Sequence, residues 1–226
     1  MTRADVVAVL PAFQCERTVG EVVCGLAARL ARVVVVDDGS SDATAEAART
    51  AGAEVHRHER NRGKGEALQT GIARALESEP QALVLLDADG QHDPADLPRL
   101  LAAWDDRRPD LIIGARLHDV GRIPPARYWT NYIGSQILSR MTGYDLEDSQ
   151  SGYRLLAAPL ARRMQLVSRG YAVESEMLIK AARYGARLEH VRIRTIYNGT
   201  GSHFQPVRDT FRISCASVYF KVFGDD

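Results

Sequence analysis

The stretch Ala82-Leu-Val-Leu-Leu-Asp87-Ala-Asp89-Gly-Gln91-His-Asp-Pro94 runs from five uninterrupted apolar residues into two carboxylates one residue apart. A short apolar run bounded by turn residues is the pattern of a strand buried on both faces, as in a parallel sheet covered by helices. Residues i and i+2 of a strand project to the same side, so Asp87 and Asp89 leave the strand together. Hard cations such as Mg²⁺ or Mn²⁺ take carboxylate oxygens while keeping waters and substrate phosphates as further ligands, so the pair reads as a seat for a metal-bound diphosphate. Ordinary turn chemistry is the competing reading, with Asp93-Pro94 merely starting a helix.

A second strand end of the same kind, Val33-Val-Val-Val-Asp37-Asp38-Gly39-Ser-Ser-Asp42, favours the chemical reading, because two such ends in one sheet can converge. Strand patterns at Val6–Leu10, 33–36, Glu54–His58, Leu83–Leu86 and Leu111–Gly114 alternate with helical ones, the signature of βαβ units. The first helix carries Val19, Val22, Val23, Leu26 and Leu30 on one face; others are expected over 43–50 behind an Asp42 cap, 65–77 and 96–104. After Gly121-Arg-Ile-Pro-Pro125 the pattern changes. A helical segment follows with Trp129, Tyr132, Ile133 and Ile137 on one side, and that stripe reads either as core or as a membrane or acceptor-facing surface. Then come a strand over 151–156, a helix over 174–184, an alternating strand over 188–196 and a helix over 207–223 whose apolar residues are not one-sided.

The expected class is therefore α/β, with a mostly parallel central sheet flanked by helices. A length of 226 residues and 45% hydrophobic content suit one domain, 1–226, with halves near 1–115 and 116–226. Basic and acidic residues both number 29, so nothing in the net charge favours nucleic acid. Only Lys64, Lys180 and Lys221 are lysines. Cys15, Cys24 and Cys215 lack zinc or redox spacing and read as core-filling thiols of a reducing compartment. No run of 18 apolar residues and no signal-peptide plan is found, so a cytoplasmic protein is expected, with peripheral contact to a membrane still open.

Six motifs in order carry a resemblance: Leu10-Pro-Ala-Phe-Gln-Cys-Glu16, Val36-Asp-Asp-Gly-Ser-Ser-Asp-Ala-Thr44, Asn61-Arg-Gly-Lys-Gly-Glu-Ala67, Asp87-Ala-Asp-Gly-Gln91, Asp148-Ser-Gln-Ser-Gly-Tyr-Arg154 and Gly201-Ser-His-Phe204. Together they resemble the family 2 glycosyltransferases of GT-A type, and within them the dolichol- or polyprenyl-phosphate sugar transferases (dolichyl-phosphate mannosyltransferase-like). The resemblance implies a Rossmann-like GT-A fold and inverting transfer from a nucleotide-sugar, of GDP-mannose or UDP-glucose type, to a polyprenyl phosphate at the cytoplasmic membrane face. It places Pro11, Glu16 and Asp38 around the nucleoside, Lys64 and His203 near the diphosphate, and Asp87, Asp89 and Gln91 around an Mg²⁺ or Mn²⁺ ion. It places Arg116 and Arg127 on the acceptor phosphate, and Asp148 where inverting relatives hold a general base, with Glu147 beside it as the rival. Glu174 and Glu176 resemble acceptor-side family features.

A glycine-rich helix mouth with a lysine suits an anion on physical grounds as well, through backbone N–H groups and the helix dipole. A phosphate acceptor arrives ionised and needs orientation more than a base. Two other functions remain open from the sequence: transfer to a saccharide or small-molecule hydroxyl, and nucleotide-sugar binding without catalysis. Neither the sugar, the base nor the oligomeric state is legible.

Overall fold

The computed structural model describes residues 2–117, 123, 125–170, 172–194 and 196. Seven strands form one sheet: β1 (Arg3–Ala12), β2 (Leu30–Asp37), β3 (Glu54–Arg57), β4 (Ala82–Leu85), β5 (Leu111–Ala115), β6 (Arg154–Ala157) and β7 (Leu188–Arg192), in the order β3-β2-β1-β4-β6-β5-β7. Helices α1 (Val19–Ala27), α2 (Thr44–Thr50), α3 (Lys64–Leu76), α4 (Leu97–Arg107), α5 (Pro125–Thr142), α6 (Ala158–Arg163) and α7 (Val173–Arg183) cover it. A short 3-10 turn, Pro94–Asp96, opens on Asp93, whose carboxylate accepts from the Ala95 N–H.

The apolar runs become strands because both faces of the sheet are covered. On β1, Val6, Ala8 and Leu10 pack with Val19, Val22, Val23 and Leu26 of α1 and with Leu97, Leu100 and Trp104 of α4. Val7 and Val9 face the other way, toward Leu68 and Ile72 of α3 and Met177 and Leu178 of α7. Full burial of each such side chain contributes roughly 1.5–3 kcal/mol, so these two cores carry most of the favourable free energy.

One strand sets the position of the site. β6 lies between β4 and β5 and is antiparallel to both, with Arg154 registered on Leu85 and Ile113. Its reversal brings its amino end to the edge where β1, β2, β4 and β5 finish. The loop 148–153 therefore arrives beside the tips that carry Asp38, Asp87 and Arg116, the edge where ligands of open α/β sheets bind.

Several expectations are corrected. Leu30 is not on the first helix: α1 stops at Ala27, and Leu30 opens β2 opposite Arg3. The 151–156 strand starts only at 154, because the preceding residues turn into the Arg154 side chain. Asp42 does not cap α2 as its N-cap residue, which is Ala43; it braces Thr44 through the backbone N–H and the hydroxyl. Cys24 is exposed and does not fill the core as expected, whereas half-buried Cys15 packs against its edge. The stripe of Trp129, Tyr132, Ile133 and Ile137 does lie on one side of α5, but that side is exposed. The core-facing side of α5 instead holds Asn131, Ser135 and Leu138. The 207–223 helix, His203 and Cys215 lie outside the described residues.

Two helical glycines give opposite tests. A Cβ at Gly71 would collide with Val9 Cγ1 and sit 3.2 Å from Val36 Cγ2, whereas at Gly134 it would meet nothing within 4 Å. Overpacking costs about 1–3 kcal/mol, which outweighs the roughly 0.5–1 kcal/mol that alanine adds to a helix interior. Gly71→Ala is expected to lower the urea midpoint and Gly134→Ala to raise it, each without changing the slope of the transition.

Candidate active site

One side of the candidate site is built from the glycine-rich loop. Asp38, at the tip of β2, accepts the N–H of Arg62 on Oδ1 (2.9 Å) and the N–H of Gly63 on Oδ2 (2.7 Å). His58 Nδ1 donates to the same Oδ1 at 2.6 Å, and its Nε2 lies 3.0 Å from the Thr70 hydroxyl. Buried and triply bonded, Asp38 anchors the loop. Gly63 has φ +98°, a conformation costly for any other residue, and a Cβ on Gly63 or Gly65 would overlap the carbonyls of Arg169 and Ser168. The Gly65 N–H donates to Arg169 O at 2.8 Å, so the loop is clasped between β2 and the segment before α7.

This clasp aims Lys64. Its Nζ lies 2.6 Å from Asp87 Oδ1 and 2.6 Å from Glu174 Oε1, joining the first turn of α3, the tip of β4 and the first turn of α7. Burial pushes Asp87 toward protonation, the charge and hydrogen bond of the Lys64 ammonium and the other nearby positive charges together pull the other way, and the net direction is down. Gly152 closes the other side of Asp87, since a Cβ there would strike the carboxylate.

Asp89 is exposed, and its Oδ1 accepts the N–H of Gln91 at 3.0 Å. Among the described residues no group of three or more His, Cys, Asp or Glu side chains converges as a complete protein cage for a metal. Asp87 and Asp89 with the Gln91 amide form an oxygen-donor set at an open turn. That set fits a hard cation whose remaining ligands are water and phosphate.

On the other side, Arg116 grips Asp148 in two places, Nε to Oδ2 at 2.8 Å and Nη2 to Oδ1 at 3.2 Å, while the N–H of Arg116 and of Gln150 also donate to this carboxylate. Asp148 has no exposure at all. Burial raises its pKa, the Arg116 charge and hydrogen bonds lower it further, and the net direction is down. Glu147 instead sits at the surface, 4.0 Å from Arg192. Ser135 of α5 accepts the N–H of Ser149 at 2.9 Å, tying α5 to the loop that bears Asp148. Arg127 lies in the first turn of α5.

The outlying expected residues take structural positions. Pro11 is in β1, paired with Val36. Glu16 Oε2 accepts the Ala43 N–H at 3.0 Å, and the Glu16 N–H donates to Asp42, so the two acids bridge the loops after β1 and β2. Sequence reasoning gave no role to Arg154, whose charge inside an apolar run was the available signal, nor to His92, which follows the acidic turn. His92 is buried, packs edge-on to Tyr153 with 5.7 Å between ring centres, and lies within electrostatic reach of Arg116, Asp87, Lys64 and Asp148.

Residues 7–163 match the family model described as Glycosyl transferase family 2. The chain belongs to glycosyl transferase family 2. It is 36% identical to the undecaprenyl-phosphate mannosyltransferase of Micrococcus luteus over 75% of this chain and 73% of that one. It is 28% identical to the UDP-N-acetylglucosamine–dolichyl-phosphate N-acetylglucosaminyltransferase of Methanococcus voltae, over 84% of each. These relatives support its place in the polyprenyl-phosphate sugar transferase branch. Among solved structures it resembles glucosyl-3-phosphoglycerate synthase from Mycobacterium tuberculosis, crystallised with Mn²⁺, UDP and phosphoglyceric acid. The TM-score is 0.77 with 21% identity, covering 99% of this chain and 80% of that one, a likeness of fold. The architecture is that of the GT-A glycosyltransferases.

This family 2 site carries an acid sensitivity of its own. Burial disfavours the imidazolium of His92 and the Arg116 charge repels it, so its pKa drops to about 3. An unfolded histidine titrates near ~6.5, so below that pH the unfolded chain takes a proton the native state refuses. The His92 contribution is thus complete above pH ~6.5 and drains away as pH falls toward 3. His190, lowered mainly by its own burial, shares the window; Asp87 and Asp148 act in the same direction only below about pH 4. In metal-free protein, His92→Gln is expected to flatten the plot of unfolding free energy against pH between about 4.5 and 6.5 by close to one proton, ~1.4 kcal/mol per pH unit. Denaturant titrations across that range measure it.

Proposed function

We propose that this protein moves one sugar, with inversion and with help from a divalent cation, from a nucleoside-diphosphate sugar to a polyprenyl phosphate at the cytoplasmic face of a membrane. The observation that carries the reading is the state of Asp148: fully buried, ionised and gripped twice by Arg116. A general base works best with a pKa near the operating pH and must reach the proton it takes. Asp148 meets neither demand, and Glu147 stands at the surface. An acceptor that is already an anion needs neither.

In this reading Asp148 fixes Arg116 so that its guanidinium lies where the acceptor phosphate docks, and Arg127 at the start of α5 adds a second positive charge. An oxygen of the phosphate attacks the anomeric carbon as the bond to the nucleoside diphosphate breaks, and the electron pair leaves with the diphosphate. Asp87, Asp89 and Gln91 would hold the cation. When bound, it neutralises charge that grows on the leaving diphosphate. Lys64, at the mouth of α3, adds a point charge and a helix N-terminus to the same oxygens. Pro11, Glu16 and Asp38 border the nucleoside, with Asp38 acting chiefly by shaping the loop.

The exposed side of α5 supports contact with lipid. Trp129 and Tyr132 are 58% and 40% exposed and Ile133 is 54% exposed, on a helix that Ser135 ties to the acceptor loop. Trp and Tyr suit a bilayer interface because their rings are apolar with one polar atom. No helix among the described residues is long and apolar enough to cross a membrane.

With Mn²⁺ and radiolabelled GDP-mannose or UDP-glucose, undecaprenyl phosphate should yield label in the organic phase, and undecaprenol should not. Equal transfer to the alcohol would favour a hydroxyl acceptor, and binding of every donor without turnover would favour a sensor. Asp148→Asn should raise the KM for the lipid phosphate about 10–100-fold, the scale of a lost charged hydrogen bond, with a smaller effect on kcat. A base would instead lose roughly 10²–10⁴ in kcat. Trp129→Glu and Ile133→Glu should reduce co-sedimentation with lipid vesicles while shifting stability by no more than about 0.5 kcal/mol, as for exposed positions.

A further inference from the structure

Lys64 is shared. Its ammonium sits 2.6 Å from a carboxylate at the cation turn, Asp87, and 2.6 Å from Glu174. Asp87 is fenced by the ammonium on one side and by the bare Cα of Gly152 on the other, so it has little room to swing toward another ligand while Lys64 stays. Glu174 differs from Asp87 in two respects. It is only 4% exposed, and its second oxygen, Oε2, is buried with no hydrogen-bond partner among the described residues. The carboxylate thus has acceptor capacity to spare in a place that disfavours an uncompensated charge. Its backbone is fixed as well, because Arg154 Nη1 donates to Glu174 O at 2.9 Å.

Resting on the donor-site reading above, we infer that Glu174 is a positioning residue for the donor diphosphate, acting through Lys64. Before a cation binds, the ammonium stands in for it at Asp87. When a cation takes Asp87, the two positive charges repel, and Lys64 gives up that carboxylate. Glu174 keeps the ammonium at the mouth of α3, facing the phosphates, where a lysine without this seat would turn to solvent. Glu176, two residues on, does a different job: its carboxylate accepts the N–H groups of Val167 and Ser168, both at 2.8 Å, and so holds the segment that clasps the loop.

The inference predicts effects of opposite sign on the cation and on the nucleotide. Lys64→Met removes the competitor, so Mn²⁺ alone, titrated calorimetrically or by its electron paramagnetic resonance signal, should bind about tenfold more tightly than to wild type. UDP or GDP with saturating Mn²⁺ should bind at least about tenfold more weakly, each decade corresponding to ~1.4 kcal/mol. Glu174→Gln keeps the shape but leaves Lys64 to Asp87 alone, so Mn²⁺ by itself should bind severalfold more weakly. The nucleotide should weaken too, and donor KM should rise more than kcat falls. Thermal melting of each ligand-free variant establishes that it is folded, and the double variant Lys64→Met/Glu174→Gln should bind Mn²⁺ as Lys64→Met does. A merely structural pair would weaken every ligand in every variant. Unchanged or weaker Mn²⁺ binding in folded Lys64→Met, with normal Mn²⁺-dependent nucleotide binding by wild type, would overturn the handover alone. Absence of such nucleotide binding in wild type would overturn the donor-site reading as well.

Discussion

A guanidinium buried at the carboxyl edge of the sheet is the constraint around which the site is organised. Arg154 is 1% exposed and spends its hydrogen bonds on three backbone carbonyls: Nε on Ser151 O, Nη1 on Glu174 O and Nη2 on Ser149 O. A full charge in such a place is tolerated only when it is hydrogen-bonded and compensated. Asp87, Asp148 and Glu174 all lie within its electrostatic reach. The loop that bears Asp148 and the helix that bears Glu174 are thereby fixed to one planar group. Lys64 and Arg116 complete the balance, so three acids and three bases meet at this edge of the sheet.

This arrangement ties the two substrates' chemistry together. On one side Lys64 answers to Asp87 and Glu174; on the other Arg116 answers to Asp148. His92, kept neutral by burial and by Arg116, lies within electrostatic reach of both without adding charge. The carboxylates therefore act through the cations they aim. A dry wall of fixed charges suits a reaction in which an anion attacks and a larger anion leaves, because stabilisation of migrating negative charge is the main demand.

Much of the fold was legible because the apolar runs at 33–36 and 83–86 are too long and too uniform for anything but buried strands. The acid pair at 87 and 89 could be picked out because it follows a buried apolar run, but β4 ends at Leu85 and the pair lies in the turn beyond it, with Asp87 half-buried against Lys64 and Asp89 exposed. Other features depend on partners distant in sequence. The reversal of β6 follows from its place between β4 and β5, which no local pattern encodes. Asp38 looked like a group offered to a ligand, yet its oxygens serve a loop more than twenty residues downstream. The burial of Arg154 and of Glu174 was not legible, because composition does not reveal that a sheet edge will enclose them. The α5 stripe resisted assignment for a further reason: an apolar face records that something apolar is met and leaves open whether it is core or an outside surface. Pro11, Glu16 and the acceptor role of Arg127 remain carried by family resemblance.

The close contact of Gly63 and Gly65 with the carbonyls of Ser168 and Arg169 bears on how such an enzyme can be rebuilt. The glycine-rich loop comes from the first third of the chain and its backing from the last third, and they meet with no side chain between them. A chimaera that grafts the leading half of one relative onto the trailing half of another must match these two backbones to a fraction of an ångström. Exchange of donor preference by cutting near residue 115 would therefore disturb the loop from behind, and recombination is better confined to side chains around the nucleoside, leaving both backbones from a single parent.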